Sequence, residues 1–446
     1  MTRYTARQLP RHLGSAAWDA ILPSRPAGPV LEEDQSVDFV IVGGGFAGLA
    51  AARRLTQLVP NSRIAVLEAG QLAEGAAGRN SGFMIDLPHE LTSDDYAGMG
   101  DDRALISLNR KAQTFAQEAV QAFGINPAFF DPSGKINGAG GPAAEAHNLS
   151  YARHLEDLGE AYEILDAAQM KELTGSTYYH SGLYTPGTVL LQPAGFIRGM
   201  ADGLRADGVS IYEKSPVTSF TQQRQSWRVQ TPKATLSTGR VILTVNGHLE
   251  SFGLAQGRLM HLFLFATMTP RLDESVGKKL GGKSRWGITP SDPMGTTVRR
   301  IDTAQGGDRI VTRTCAVLRS GMVAKTADMR RASRTMQRKF DSRFPQLAGM
   351  QMEHTWAGHL CLTSNANAHM QEIDMGVFSG CVQNGLGTAR GTLTGIGAAE
   401  MACGQKSDIT RHFGAQVMPK PLPPKTFRDM GANAVIRFKE WRAKSE

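Results

Sequence analysis

VDFVIVGGGFAG, residues 37–48, is followed at once by LAAARRLTQL over 49–58. Val37 to Val42 is an apolar, β-branched run of strand length, and the stretch after the glycines repeats its apolar residues with a helical period. Pro60-Asn61 makes a turn, and RIAVL over 63–67 reads as a second strand ending at Glu68. That is the opening of a βαβ unit. Gly43, Gly45 and Gly48 match G-x-G-x-x-G in the one context that gives the pattern meaning, after a strand and into a helix. Gly43 permits the tight turn, Gly45 lets backbone amides approach a diphosphate, and Gly48 lets the helix press on the strand. Phe46 and Ala47 bring the first amides of the helix, whose positive end favours phosphate. Glu68, twenty residues past Gly48, is placed to accept hydrogen bonds from both ribose hydroxyls and to repel a 2′-phosphate. An adenine dinucleotide other than NADP is the expected ligand.

The rest of the chain limits what kind of protein carries this unit. Its 446 residues suit two or three domains. With 41% hydrophobic and 20% charged residues, disorder and coiled coil are excluded. No apolar stretch is long enough to span a bilayer, and residues 1–36, interrupted by Pro10, Pro23, Pro26 and Pro29, read as an extended leader without the apolar middle of a secretory signal. The expected location is cytoplasmic. Cys315, Cys361, Cys381 and Cys403 never approach C-x-x-C spacing, so no metal site is expected. The formal charge of +8 is concentrated between Val298 and Pro345, where twelve basic residues face four acidic ones. That block has no interleaved aromatics, and Met329, Met336 and Phe340 share one side of its helix while Arg331, Arg334 and Arg338 lie on others, so it reads as a solvated helix face rather than a nucleic-acid surface.

Further along, helices are expected over 101–123 and 193–204 and a helix-rich stretch from 142 to about 173, with strands near 209–213, 227–231, 241–245 and 258–267. Two more strands flank Gly306-Gly307 between 296 and 313, and another apolar strand from Val377 enters a glycine-rich turn and a helix. GKKLGGKS over 277–284 satisfies the letters of a phosphate loop. The polar PRLDESV before it and Pro290 after it deny that loop its strand and helix, so it is a coincidental basic loop.

Leu67-Glu68-Ala69 with Gly75-Ala76-Ala77-Gly78-Arg79-Asn80-Ser81-Gly82 resembles the LEA…GASGRNGG signature of the glycine oxidase/D-amino-acid oxidase superfamily, most closely its gamma-glutamylputrescine oxidase and sarcosine oxidase-like branch. Ser215-Pro216-Val217, Asn246-Gly247 after VILTV, Ala266-Thr267, Trp356-Ala357-Gly358 with Thr363, and Asn384-Gly385-Leu386-Gly387 follow in that family's order. The resemblance implies an α/β protein in which a Rossmann-like FAD-binding domain is interleaved with an α+β substrate domain built on a large mixed sheet. It divides the chain into a leader (1–35), FAD-binding segments (36–90, 186–250 and 350–407), substrate-domain segments (91–185 and 251–349) and a C-terminal arm (408–446). Gly75 to Gly82 would lie close to the flat ring, with Arg79, Asn80 and Ser81 as donors near phosphate or ring edge. Val217 would meet the adenine. Gly385, Leu386, Gly387 and Thr388 would aim the following helix at the flavin pyrimidine, where reduction accumulates negative charge.

Two departures matter. Where sarcosine oxidases carry a flavin-bonding cysteine this chain has Leu360, and Cys361 beside it should point to the opposite face, so FAD is expected to be non-covalent. The usual T-x-D-x-x-P becomes Thr363-Ser-Asn365-Ala-Asn367-Ala-His369, so the substrate preference of named relatives is not carried over to this chain. His261, in a strand that passes over the flavin in relatives, is a candidate catalytic residue, as are His359 and His369, which flank Thr363; His248 is another candidate. Arg299 or Arg300, with Arg313, is the candidate for holding a substrate anion. The implied reaction is oxidation of a C–N bond in an anionic amine or amino-acid-like small molecule, with hydride passing to flavin N5, hydrolysis of the imine, and O2 or another acceptor reoxidising the flavin. The alternatives are a 2-hydroxy-acid dehydrogenase and a non-catalytic FAD-binding partner.

Overall fold

Val40 and Ile41 have no exposed surface, because the strand that carries them, Gln35–Val42, has a neighbour on each edge and covered faces. The computed structural model describes residues 1–88, 93, 100–292 and 294–443. Gln35–Val42 lies parallel to Ile64–Leu67, with Val42 opposite Leu67, and parallel to Thr235–Leu243, with Val40 opposite Val241. Helix Phe46–Leu58 makes the crossover between the first two. On its other edge Thr235–Leu243 takes two neighbours in succession, Ser226–Gln230 antiparallel and Val377–Cys381 parallel. The result is a nine-stranded sheet, completed by Arg3–Thr5, Ser210–Tyr212, Ser219–Gln223 and His369–Asp374.

Small residues let the helices close on this sheet. A Cβ at Gly48 would lie 1.8 Å from the Gly43 carbonyl oxygen, and one at Gly395 would lie 2.0 Å from that of Ala47. The second contact presses helix Ala389–Ala402 against helix Phe46–Leu58, so two helix N-termini converge on one end of the sheet.

The second sheet has eight strands. Their order is His354–Leu362, Met260–Met268, Arg309–Leu318, Thr297–Ile301, Trp286–Pro290, Lys135–Ala139, Ser181–Thr185 and Glu163–Asp166. All neighbours are antiparallel except Trp286–Pro290 and Lys135–Ala139, where Ile288 stands opposite Ile136. It is therefore a mixed sheet, as expected. Helix Thr326–Arg343 buries Met336 and Phe340 against it and leaves Arg334 and Arg338 exposed.

The helix-rich stretch expected over 142–173 consists of two helices: Pro142–Leu158 ends at Gly159, in the left-handed region, and strand Glu163–Asp166 precedes helix Ala167–Thr174. Two sequence expectations are corrected. His354–Leu362, placed in a cofactor-domain segment by the sequence, is the edge strand of the second sheet. The leader is more than extended chain, since Arg3–Thr5 adds to the first sheet and Trp18, fully buried, donates to the Asn80 carbonyl at 2.8 Å. The boundary expected at 90/91 lies outside the described residues. GKKLGGKS falls on the end of the short helix Glu274–Leu280 and the loop after it, with no strand before. Among the described residues no helix is long and apolar enough to cross a membrane.

Candidate active site

One cavity of about 610 Å3 runs between the two sheets. At one end it is bordered by the backbone of Gly43, Gly45, Phe46 and Ala47, by Glu68 and Ala69, and by Gly75 and Ala76. Val217 and Asn246 border it further on, and Gly385, Leu386, Gly387 and Thr388 close it beside the second helix N-terminus. The sequence-assigned residues are thus brought together. Two of them stay behind the wall: Gly48 packs on Gly43, and a Cβ at Gly247 would meet the His261 ring at 2.9 Å and Cys361 at 3.1 Å.

Glu68 accepts from the amides of Gly44 at 2.8 Å and Gly70 at 3.0 Å. Burial pushes its carboxyl up, against the opposing effect of those amides. The loop 75–82 is held by its own side chains. Arg79 borders the cavity, yet its guanidinium donates to four carbonyls: Glu74 at 2.6 Å, Gly14 at 2.9 Å, and Leu13 and Ala357 both at 3.2 Å. Asn80 likewise donates to Ala77 and accepts from Gly82. The donors expected near a phosphate are therefore committed to tying leader, loop and edge strand together, and burial lowers Arg79 to about 10. Ser81 also borders the cavity.

The substrate-side wall comes from the second sheet. Met260, Leu264 and Leu362 make it apolar, and Thr297 and Arg313 make it polar. Arg313 donates to Thr297 Oγ1 at 2.7 Å. Arg299 and Arg300 do not border the cavity, contrary to expectation. Arg299 donates to the carbonyls of Leu191 at 2.6 Å and Gly82 at 3.0 Å beneath the rings of Trp18 and Phe83. Arg300 is turned the other way, onto Asp308 at 2.8 Å. Strand alternation sent them to opposite faces, but neighbouring backbone and an acid claimed both.

Because His354–Leu362 is an edge strand, its rim borders the cavity, and consecutive residues from Gly358 to Thr363 all touch it. Cys361 touches the cavity through this rim, but its side chain lies on the side away from Leu360: it stands opposite His261 and packs, fully buried, with Leu249 and Cys381. Burial, reinforced by Cys381 and Glu250, pushes its thiol well above the usual range. His359 is at the wall too, stacked on Phe263 and edge-on to His248. His261 is behind it, fully buried, with Nδ1 3.1 Å from His359 Nε2 and Nε2 2.5 Å from Glu250. Burial and then the neighbouring His248 and His261 hold His359 well below the usual histidine value. His369 is away from the cavity, against Ser379 at 2.8 Å.

Two contributors were not anticipated. Ala6 and the run from Gln8 to His12 in the leader border the cavity; composition alone gave no sign of this. Lys135, 1% exposed, bonds Asn137 and lies 3.3 Å from Thr289 Oγ1, which is on the cavity wall; burial lowers it to about 8. A lysine inside the apolar KINGA strand was the available signal.

The family described as FAD dependent oxidoreductase matches residues 38–402. The chain belongs to this family of FAD-dependent oxidoreductases. Probable oxidoreductase OrdL of Rhizobium meliloti (strain 1021) is 23% identical to it over 420 residues, covering 90% of this chain and 91% of that one. Gamma-glutamylputrescine oxidoreductase of Escherichia coli (strain K12) is 25% identical over 359 residues, 78% of this chain and 79% of its own. The solved glycine oxidase from Geobacillus kaustophilus is similar in fold, with a TM-score of 0.67 at 16% identity over 83% of this chain and 96% of that one. This FAD-dependent oxidoreductase thus has the fold of the amino-acid oxidases, and its cavity suits the cofactor. At Gly385 and Gly387 a Cβ would meet nothing within 4 Å, leaving bare backbone toward a ligand. Asn246 Oδ1 is buried without a partner, an acceptor left for a ligand donor.

Proposed function

We propose that this FAD-dependent oxidoreductase oxidises the C–N bond of an amine or amino-acid-like substrate that carries an anionic group, releasing after imine hydrolysis an aldehyde or keto acid and the amine. The observation that carries the reading is Arg313, a guanidinium on an otherwise largely apolar wall of the cavity that also holds the cofactor loops. Its planar fork suits a carboxylate, sulfonate or phosphonate and would fix which C–H is presented. His359 takes the proton that an ammonium substrate must lose before its C–H bond can give up an electron pair, with His261 and Glu250 behind it to orient the ring. Met260, Leu264 and Leu362 keep water from the reacting carbon. Bound FAD supplies the two-electron acceptor, held without a covalent bond, and O2 or another acceptor reoxidises it. Gly43, Gly45, Glu68, Gly75, Gly385 and Gly387 belong to its cradle.

The cofactor-binding part is read as 36–90, 186–250 and 350–407, and the substrate part as 91–185 and 251–349. Apart from edge strand His354–Leu362 and the leader strand Arg3–Thr5, the strands of the two large sheets divide along those lines. The test is anaerobic titration of the purified protein with N-methyl amino acids, D-amino acids, polyamine derivatives, aminophosphonates and 2-hydroxy acids, following flavin absorbance. Bleaching by an anionic amine is the expected result. Bleaching by a 2-hydroxy acid alone, or by nothing, would sink the C–N reading.

A further inference from the structure

The C-terminal helix Lys425–Arg442, KTFRDMGANAVIRFKEWR, is amphipathic in the inverted sense. The strand Thr297–Ile301 pairs only as far as Arg313 of its neighbour, so the outer edge of the last residues of Arg309–Leu318 would be left open. The helix covers that edge with polar side chains. Asn433 accepts from the Leu318 amide at 3.0 Å and donates to its carbonyl at 3.1 Å, while Glu440 accepts from the Ala316 amide at 2.9 Å and Arg437 donates to its carbonyl at 3.3 Å. Having turned its polar residues inward, the helix presents apolar ones to solvent. Phe427 is 75% exposed, Met430 72%, Val435 54%, Phe438 57% and Trp441 60%. Spaced by three, five, three and three residues, they lie within one broad face of the helix and make a stripe about 21 Å long at 1.5 Å per residue.

Charge selects what such a stripe fits. Lys425, Lys439 and Arg442 are exposed on the same helix. Its two acids are drawn inward, Asp429 by Ser320 and Glu440 by Arg331 and Arg437. An apolar stripe flanked by cations, with aromatics near both ends and both acids paired, has the composition of a helix lying in a membrane interface. Pairing with a second copy about a two-fold axis would instead set Lys425 near Lys439 and Arg442 of the other helix, cation against cation. The inner residues Ala432 and Ile436 pack with Met260 and Leu264, which border the cavity, so this surface backs directly on the substrate-side wall.

We propose that the outer face of helix Lys425–Arg442 seats the protein on an anionic lipid bilayer, as a peripheral helix lying in the interface. The test is co-sedimentation of the FAD-loaded full chain with phosphatidylcholine vesicles, with and without phosphatidylglycerol. Binding is expected only with phosphatidylglycerol, to weaken with salt, and to fall about tenfold or more in Phe427→Ser/Phe438→Ser and in Lys425→Glu/Lys439→Glu, with flavin absorbance unchanged in both. Protein that stays in the supernatant with both vesicle types overturns the proposal, as does equal binding to both. A concentration-dependent dimer that Phe438→Ser dissolves, without vesicle binding, assigns the face to self-association and overturns it as well.

Discussion

His261 Nδ1 lies 3.1 Å from His359 Nε2, and the other nitrogen of His261 faces the Glu250 carboxylate. Burial acts to raise Glu250, yet its bonds from His261 and the Gly257 amide hold it below its usual range. As a carboxylate it can only accept, so His261 donates to it from Nε2, and a single hydrogen bond joins the other His261 nitrogen to His359. Burial keeps the ring neutral well below the usual histidine value. His359→Asn is expected to lower kcat/KM about a hundredfold, the scale of one general base. Glu250→Gln, which disturbs the tautomer, is expected to move the acid limb of the pH profile. An unchanged profile in both variants removes His359 from proton transfer.

Glu68→Gln is expected to weaken FAD binding by about 1–3 kcal/mol, the range for a charge-assisted hydrogen bond left unmade. Fluorescence titration of the apoprotein reads it. Since Glu68 also holds the Gly44 and Gly70 amides, part of the loss is a loosened turn. Unchanged affinity takes Glu68 out of the cradle.

Acid precipitation is expected to leave intact FAD in solution. Leu360 cannot form a thioether, and the Cys361 thiol beside it is pushed far from its thiolate by burial. Flavin that stays with the pellet would show Cys361 to be bonded to it.

The glycine turns were legible because each needs a backbone that only glycine gives cheaply, and those needs are local. Gly43, with φ of 107°, and Gly48, against the Gly43 carbonyl, are written in a dozen consecutive residues. What periodicity could not show was competition for side chains across the chain. Arg79 reads as a phosphate donor until Leu13, Gly14 and Ala357 arrive from the leader and the edge strand. Arg299 reads as an anion binder until Leu191 and Gly82 claim it.

Acid should destabilise the protein through buried histidines. Burial lowers His369 to about 4, whereas in the unfolded chain it titrates near 6.5. Between those values the unfolded state binds the extra proton, so this contribution is complete above about pH 6.5 and is lost as pH falls toward 4, at about 1.4 kcal/mol per pH unit. His369→Gln is expected to flatten urea-unfolding stability across that window by about one proton's slope. An identical slope would mean that His369 is already protonated in the folded chain.

Arg313 and Arg299 make opposing predictions from one sheet. Arg313→Met is expected to lower kcat/KM for an anionic amine by about tenfold or more, since a hydrogen bond to a charged group exceeds the roughly 1.4 kcal/mol that a factor of ten requires. The loss should be much smaller for an uncharged analogue, with flavin content normal. Arg299→Met should not discriminate between the two substrates. It strips the donor from the Leu191 and Gly82 carbonyls beneath Trp18 and Phe83, so the expected effect is a loss of about 1–3 kcal/mol of stability and weaker FAD retention. Measuring both variants on the charged and neutral pair separates an anion contact from a structural one. If Arg313→Met treats the two substrates alike and Arg299→Met does not, the anion is held from beneath the floor of the cavity rather than from its wall, and the assignment made here is reversed.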